Sequence, residues 1–404
     1  MSLYFNDLYE FKKSDGSIDL YSRLIQSIGT TSIVLAVIYF IWPGAMIGRW
    51  IFFVSIIFLV LFLVSWRVLY NIIIKKRLLS EKAILVGDGE LARELINETK
   101  HQSDFSYDIR AIVGHKNGEN PQNQFENIPV RYGFDDLCTF TTSAGISSII
   151  VALDEKRGIM PYNELLNCKV RGLSIIDGES FYERITGKLL AEKINPSWLV
   201  FSDGFKKSRI TKSLKRLFDL ITATIMLIFL SPLMLFVAIC IKLESSGPVV
   251  FSQERVGEFG DIFVLHKFRS MKADAEKDSG PVWASEDDPR TTRVGKIIRK
   301  LRIDELPQLW NVFKGEMSYV GPRPERAFFV EQLKEKVPYY NERFSVKPGV
   351  TGWAQVKYPY GANEKDALEK LKYELYYIKN MSLVMDMAVI FHTVKIVLLG
   401  RGSR

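Results

Sequence analysis

The strongest constraint on this 404-residue chain is the concentration of its apolar residues in three blocks. Residues 28–42, 50–74 and 217–241 carry at most one charge each, although 25% of the whole chain is charged. About 20 consecutive apolar residues cross a bilayer as a helix. The second and third blocks are long enough to span a membrane, whereas the first is short for a span. A buried hairpin in a soluble protein is the less favoured interpretation of the second block.

The first two blocks predict a pair of transmembrane helices within residues 1–80. Pro43 and Gly44 mark a turn between them. Basic residues flank transmembrane helices mainly on the cytoplasmic side. We therefore expect both ends of this pair to be cytoplasmic, since basic residues both precede the first block and follow the second: Lys12, Lys13, Arg23, Lys75, Lys76 and Arg77.

Residues 81–205 have the pattern of a Rossmann-like α/β domain. Residues 82–86 predict a buried strand that enters the turn Gly87-Asp88-Gly89-Glu90-Leu91-Ala92. A G-x-G-x-x-A turn between a strand and a helix is the dinucleotide-binding pattern. The acidic residue that would bind a ribose is absent, because His115 and Lys116 occupy its place. A cofactor site and a scaffold without ligand both stay open. Further strands are predicted at residues 109–113, 148–153 and 173–176.

The third apolar block has Ser231 and Pro232 at its middle. Proline removes one helical hydrogen bond, and a serine can satisfy the carbonyl that loses its partner. A straight span would place one basic flank outside the cell. We therefore predict a re-entrant hairpin over residues 214–243, with both ends cytoplasmic. The flanking basic residues are Lys212, Lys215, Arg216 and Lys242.

Charged residues on short, stiff segments follow this block. Asp304 and Glu305 are adjacent carboxylates beside several cations, and Arg323 lies in the turn Gly321-Pro322-Arg323-Pro324. Cations that neutralise phosphates, and a carboxylate that binds Mg²⁺ or attacks phosphorus, are what phosphoryl transfer from a pyrophosphate requires. One such piece alone is more often a surface ion pair. The further cations are Lys267, Arg269, Arg299 and Arg343.

Residues 215–399 resemble the bacterial sugar transferase family, the monotopic polyisoprenyl-phosphate sugar-1-phosphate transferases. The matching stretches are Lys215-Arg216-Leu217-Phe218-Asp219, Ser231-Pro232, Gly247-Pro248-Val249, Gln253-Glu254-Arg255-Val256-Gly257, Lys267-Phe268-Arg269-Ser270-Met271, Asp304-Glu305-Leu306-Pro307-Gln308, residues 320–325 and residues 348–355. With the upstream regions, the chain is similar to the larger members that initiate exopolysaccharide or O-antigen assembly. The implied fold is an α/β membrane protein with N-terminal transmembrane helices, a Rossmann-like α/β domain, and a re-entrant membrane helix hairpin with an α-rich catalytic domain at residues 206–404.

The resemblance implies a role for each matched residue. Asp304 would attack the β-phosphate of a UDP-sugar, expel UMP and pass the sugar phosphate to undecaprenyl phosphate. Glu305 would assist, either by deprotonating the incoming lipid phosphate or by supporting the metal, and Mg²⁺ would bind at Asp304. Lys267, Arg299 and Arg323 match positions that hold phosphate or nucleotide, whereas Arg269 and Arg343 could instead brace the fold. Near the C-terminus, Glu374 stands where the family usually has aspartate.

The resemblance also implies a setting, namely a bacterial inner membrane with the catalytic domain facing the cytoplasm. Expected partners are a UDP-sugar, undecaprenyl phosphate, the lipid bilayer and a second copy of the chain. The net charge of +8 suits phosphates and anionic lipid as well as nucleic acid. We expect no nucleic-acid partner.

The residues bear on three other functions. A short-chain nucleotide-sugar-modifying enzyme needs Tyr-x-x-x-Lys, which does not occur downstream of the glycine turn. A metal-dependent glycosyltransferase that moves a sugar without its phosphate commonly has Asp-x-Asp, which the chain lacks. A non-catalytic membrane scaffold is disfavoured by the Asp304-Glu305 pair with its cationic neighbours. The sugar itself is not specified by any motif.

Overall fold

The computed structural model describes residues 48–75, 80–101, 107–115, 128–193, 204–272, 290–358 and 363–398, with residue 125 and parts of 26–45. It divides into two compact units, Met1–Thr186 and Gly187–Arg404. Residues Leu189 and Ala191 belong to the core of the second unit. The chain therefore joins that unit before the predicted boundary at residue 206.

The first unit begins with apolar helices. Residues 37–41 are helical, a 3-10 turn follows at Pro43–Ala45, and helix α1 covers Arg49–Lys75. With 27 residues, α1 is about 40 Å long. Its described apolar side chains are largely exposed, as Trp50 (82%) shows. The flanking residues Lys12, Lys13, Arg23, Lys76 and Arg77 lie outside the described residues.

A five-stranded parallel sheet in the order β3-β2-β1-β4-β5 follows. The centre of β1 (Ile84, Leu85, Val86) is fully buried, as expected for a parallel strand covered on both faces. The predicted Rossmann-like domain is confirmed, except that three-residue β3 was not predicted. The elements are β1 Glu81–Val86, α2 Glu90–His101, β2 Tyr107–Gly114, β3 Val130–Tyr132, α3 Leu137–Ser143, β4 Ser148–Val151, α4 Tyr162–Val170, β5 Ser174–Asp177 and α5 Gly178–Thr186.

The second unit is organised on one long apolar helix, α6, which covers Arg209–Glu244. It runs through Ser231 and Pro232 without ending, so the structure has one continuous helix over the segment predicted to form a re-entrant hairpin. The path of this helix in a membrane stays a prediction. Pro232 has no N–H for the carbonyl of Ile228, and the Ser231 hydroxyl donates to that carbonyl instead, at 2.8 Å. In the described part of the chain, α6 is the helix long and apolar enough to cross a membrane.

Both halves of α6 pack against side chains of the segment Ile262–Phe268, in two separate clusters. Toward the N-terminal end, Ala223 joins a cluster with Leu265; toward the C-terminal end, Val237 and Ile241 join one with Phe268. Several apolar side chains between these contacts are exposed. Examples are Ile228 (65%), Phe229 (76%), Leu235 (65%) and Phe236 (64%).

The rest of the second unit consists of two pairs of strands and a set of shorter helices. An antiparallel hairpin of β6 and β7 contacts the α6 clusters, and a short parallel pair, β8 and β9, joins two motif-bearing loops. The main apolar core lies among the C-terminal helices. The elements are β6 Val250–Val256, β7 Ile262–Phe268, α7 Arg293–Lys300, α8 Gln308–Lys314, β8 Ser318–Val320, α9 Ala327–Lys336, β9 Gly349–Thr351, α10 Trp353–Lys357, α11 Glu364–Asn380 and α12 Leu383–Leu398.

Candidate active site

Asp304 and Glu305 lie on a tight turn between α7 and α8. The turn starts at Arg302, whose φ of 55° is in the left-handed region, and continues as a 3-10 helix over Ile303–Glu305. Few non-glycine residues adopt this conformation, and surrounding contacts must hold a residue that does. Here Ile303 and Leu306, on either side of the carboxylates, pack into the cluster of α6 side chains. The pair is therefore fixed beside the C-terminal half of the long apolar helix.

Glu305 is the buried anchor of this turn, with 9% exposure. Its Oε1 accepts from Lys267 Nζ at 3.3 Å and from Arg323 Nη2 at 2.8 Å. Lys267 reaches it from β7, where the alternation that buries Phe263 and Leu265 places Lys267 on the same face. Glu305 thereby brings two of the predicted phosphate-binding cations together.

Arg323 is positioned by a close backbone contact between two glycine-containing motifs. Gly321 N donates to Thr351 O at 2.9 Å, and Gly349 N donates to Pro322 O at 2.8 Å. A Cβ on Gly321 would lie 2.4 Å from Lys347 O, which is closer than a side chain tolerates. The glycines in these motifs are thus needed for backbone-to-backbone packing, which presents Arg323 to Glu305.

The two carboxylates differ in their electrostatics. Burial, and then the charge of Glu305, raise the pKa of Asp304 to about 6, although Lys267, Arg323 and Arg299 oppose the shift. Burial acts to raise the pKa of Glu305 as well, but Arg323 and Lys267 outweigh it and hold that pKa well below its usual range. Glu305 is therefore a permanent anion engaged with cations. Asp304 is the carboxylate whose charge changes with pH near its pKa of about 6.

Arg299 lies in the last turn of α7, near Asp304. Its Nη1 donates to Thr291 Oγ1 at 3.2 Å, and the side chain is half-buried. The structure thus brings together Asp304, Glu305, Lys267, Arg299 and Arg323, so that three cations lie around the carboxylate pair.

Arg269 and Arg343 form their contacts away from the carboxylate pair. Arg269 is 6% exposed and donates to Ser245 O at 2.9 Å and Ser246 O at 2.8 Å, just after the end of α6. These contacts favour the bracing role over phosphate binding for Arg269. They tie the end of β7 to the connection between α6 and β6.

Arg343 also braces the fold. Its Nε and Nη2 donate to the two carboxylate oxygens of Glu374, at 2.9 and 2.8 Å, and its Nη1 donates to the Tyr340 hydroxyl at 2.6 Å. Nη2 also donates to the backbone carbonyl of Arg323, at 2.8 Å. Burial lowers the pKa of Arg343, but Glu374 outweighs it and the net shift is upward. Arg343 therefore positions the backbone of Arg323, whose side chain binds Glu305. Arg343 does not face the carboxylate pair itself.

Sequence reasoning missed the buried network around Lys215. Lys215 Nζ donates to Asp386 Oδ2 at 2.6 Å, and the Tyr377 hydroxyl donates to Asp386 Oδ1 at 2.6 Å. Asp386 is 1% exposed. The network ties the basic end of α6 to the two C-terminal helices. The available signals were Asp386 within an apolar tail segment and the motif that contains Lys215.

Magnesium at Asp304 stays a prediction. No group of three or more His, Cys, Asp or Glu side chains suited to a metal occurs within the described ranges. Mg²⁺ commonly binds one or two carboxylates and completes its shell with water and substrate phosphates. Because Glu305 is held by Lys267 and Arg323, Asp304 is the residue that would hold the ion. When bound, Mg²⁺ would neutralise charge on the phosphates.

A carboxylate pair ringed by cations and set against a long apolar helix defines a class, a membrane-associated enzyme for phosphate-bearing substrates. The comparisons with known proteins agree with this class. The family model of the bacterial sugar transferases matches residues 210–400. A second model, described as a CoA-binding domain, matches residues 4–158.

Several known proteins are similar to part of this chain. An N-acetylgalactosaminephosphotransferase of Aeromonas hydrophila that acts between UDP-N-acetylgalactosamine and undecaprenyl phosphate is 42% identical over 240 residues, or 59% of this chain and 56% of that protein. The UDP-glucose:undecaprenyl-phosphate glucose-1-phosphate transferase of Escherichia coli K12 is 42% identical over 46% of this chain and 40% of that protein. The alignments thus cover about half of each of these relatives.

The exopolysaccharide production protein PSS of Rhizobium leguminosarum bv. phaseoli is matched over 93% of its own length, which is 45% of this chain, at 43% identity. This chain belongs to the bacterial sugar transferase family. The resemblance inferred from the sequence motifs is confirmed.

Proposed function

We propose that the protein transfers a sugar 1-phosphate from a UDP-sugar to undecaprenyl phosphate and releases UMP, starting exopolysaccharide or O-antigen assembly. The observation that carries the proposal is Asp304, held beside Glu305, Lys267 and Arg323. The relatives named as undecaprenyl-phosphate sugar phosphotransferases support the acceptor and the phosphosugar.

The first step forms a covalent intermediate on Asp304. A carboxylate oxygen of Asp304 attacks the β-phosphorus of the donor, and the bond from that phosphorus to the bridging oxygen breaks. UMP leaves with the bridging oxygen and the electron pair. The sugar phosphate is then joined to Asp304 as an acyl phosphate, and one difficult transfer is split into two easier ones.

The second step regenerates the carboxylate. A phosphate oxygen of the lipid attacks the same phosphorus, and the bond to Asp304 breaks. The product is the lipid diphosphate sugar. Lys267, Arg299 and Arg323 supply positive charge while the reacting phosphates gather negative charge.

Glu305 acts in this proposal as an anchor and not as a base. Its pKa lies well below the usual range because Arg323 and Lys267 outweigh the effect of burial, so it is a poor proton acceptor at neutral pH. Its contribution is to hold Lys267 and Arg323 within reach of Asp304. Mg²⁺, bound at Asp304, would complete the charge balance.

The long apolar helix explains how a soluble donor and a membrane lipid meet. A straight helix from Ala223 to Val237 is about 21 Å long, whereas Leu265 and Phe268, in the two clusters that these residues join, are about 10 Å apart along β7. A bend at Pro232 would let both ends of α6 rest on one domain while the exposed middle enters the bilayer. The domain then lies on the cytoplasmic face of the inner membrane. A homodimer stays a prediction.

A nucleotide-release assay tests the proposal. The full chain in lipid nanodiscs is given undecaprenyl phosphate and each of a panel of UDP-sugars, with Mg²⁺. UMP is expected from the wild type and from Asp261→Asn, a control at the exposed β6–β7 turn, and none from Asp304→Asn. Release of UDP would show transfer of the sugar without its phosphate and would overturn the proposal.

A further inference from the structure

The glycine-rich turn of the Rossmann-like domain is occupied by a carboxylate of the protein itself. At the start of α2, the backbone N–H of Glu90 donates to Asp154 Oδ2 at 2.7 Å. The N–H of Leu91 donates to Asp154 Oδ1 at 3.0 Å. In dinucleotide-binding Rossmann domains, these N-terminal amides bind the pyrophosphate. Asp154 therefore takes the place of the phosphate.

The glycines of the turn are explained by this internal contact. A Cβ on Gly89 would lie 1.8 Å from Asp154 Oδ2. Gly87 has a φ of +128°, and a Cβ there would lie 2.2 Å from Ala152 O. Asp154 and Ala152 follow β4, which neighbours β1 at the point where the strand order reverses. The G-x-G pattern is thus required by the packing of this domain alone.

A second carboxylate lies at the neighbouring position. A Cβ on Gly114, at the end of β2, would lie 2.4 Å from Asp88 Oδ2. The end of the second strand is where a dinucleotide ribose is usually bound. Two carboxylates therefore face the crevice that a CoA or dinucleotide pyrophosphate would enter, and like charges oppose its binding.

We infer that Asp154 closes the anion site of this domain, so that the domain does not bind CoA or a dinucleotide through the glycine turn. The matching family model is described as a CoA-binding domain, but the residues at the glycine turn of this chain do not fit CoA. The domain works as a scaffold whose α2 helix is capped from within. This inference does not depend on the transferase reaction.

The test measures ligand binding to the full chain in nanodiscs by calorimetry, with CoA and inorganic pyrophosphate as probes. Wild type is expected to show no saturable binding of either. Asp154→Ala exposes the amides and removes a charge, so its affinity for both probes should rise about tenfold or more. Glu155→Ala, which removes the adjacent exposed carboxylate, serves as the matched control and should behave as wild type.

The inference would be overturned if wild type and Asp154→Ala bound CoA equally tightly, or if neither of them bound it. Because removal of a cap also weakens α2, Asp154→Asn is the second variant. It keeps one oxygen for the amides and removes the charge, and an intermediate rise in pyrophosphate affinity is expected. An Asp154→Asn variant that folds and binds as weakly as the wild type would contradict the account as well.

Discussion

Replacing Arg343 by methionine tests how the site is held together. Arg343 and Glu374 are each about 5% exposed and form a two-pronged ion pair. Without Arg343, the carboxylate of Glu374 is left buried and unpaired. The Tyr340 hydroxyl and the Arg323 carbonyl also lose a donor.

The expected cost is large. Breaking a buried ion pair from one side costs about 3–5 kcal/mol. Each of the two buried acceptors adds about 1 kcal/mol. At roughly 2–4 °C per kcal/mol for a unit of this size, the second unit should unfold at a temperature lower by about 10 °C or more. The double variant Arg343→Met/Glu374→Leu has no buried charge to leave unpaired and should recover about 3 kcal/mol of this loss.

Stability and activity are expected to separate in the double variant. Thermal unfolding is followed by tryptophan fluorescence, and activity by UMP release. Because the Arg323 carbonyl still lacks its donor, UMP release should stay at least about tenfold below wild type even where stability is recovered. The control is Lys336→Met/Glu364→Leu, which removes an exposed pair (53% and 59% exposed) and should change stability by less than about 1 kcal/mol.

Two outcomes would refute this reasoning. A double variant as unstable as Arg343→Met would show that an unpaired carboxylate is not the source of the loss. Wild-type UMP release by either Arg343 variant would show that Arg323 does not need this brace.

Further predictions concern Asp304, its neighbours and the apolar helix. The attack proposed for Asp304 requires an ionised carboxylate, and burial together with Glu305 raises the pKa of Asp304 to about 6. We therefore expect kcat/KM for UMP release to fall as pH drops through about 6; a flat profile from pH 5 to 8 would contradict this. Glu305→Gln removes a negative neighbour and leaves Lys267 and Arg323 unneutralised, so the acid limb should move to lower pH by about one to two units, and a shift to higher pH would be the opposing result. Gly321→Ala should destabilise the second unit by about 1–3 kcal/mol, as measured by thermal unfolding, because its Cβ meets Lys347 O. Pro232→Ala restores the hydrogen bond to Ile228 O and should favour a straight α6; cysteine labelling at its two flanks should then find one flank on the far side of the bilayer.

Much of the fold could be predicted from the sequence because it follows from periodicity and apolar content. Buried runs such as Ala83–Val86 between turn residues predict parallel strands, and the glycine turn fixes the first β-α connection. Strand β3, of three residues, is too short to leave a periodic signal. Pro232 predicts a lost hydrogen bond and Ser231 predicts its compensation, but only the structure shows that α6 continues through both residues.

The membership of the candidate site could be predicted only in part. The motifs identify Asp304, Glu305, Lys267 and Arg323, because several cation-bearing segments occur together with the carboxylate pair and match one family. The partner of a guanidinium is set by tertiary packing, which no local pattern contains. Arg343 and Glu374 are 31 residues apart, and only the structure shows that this arginine braces the backbone of Arg323.

The most direct test of the account is to trap the sugar phosphate on the protein. The full chain in nanodiscs is mixed with Mg²⁺ and a UDP-sugar labelled at the β-phosphorus, without undecaprenyl phosphate, and the product is quenched and mapped by mass spectrometry. The account predicts one labelled phosphosugar per chain on the peptide that contains Asp304, together with one equivalent of UMP, and chase of the label to the lipid when acceptor is added. Turnover with acceptor but no adduct at Asp304, or an adduct on another residue that Asp304→Asn still forms, would contradict it.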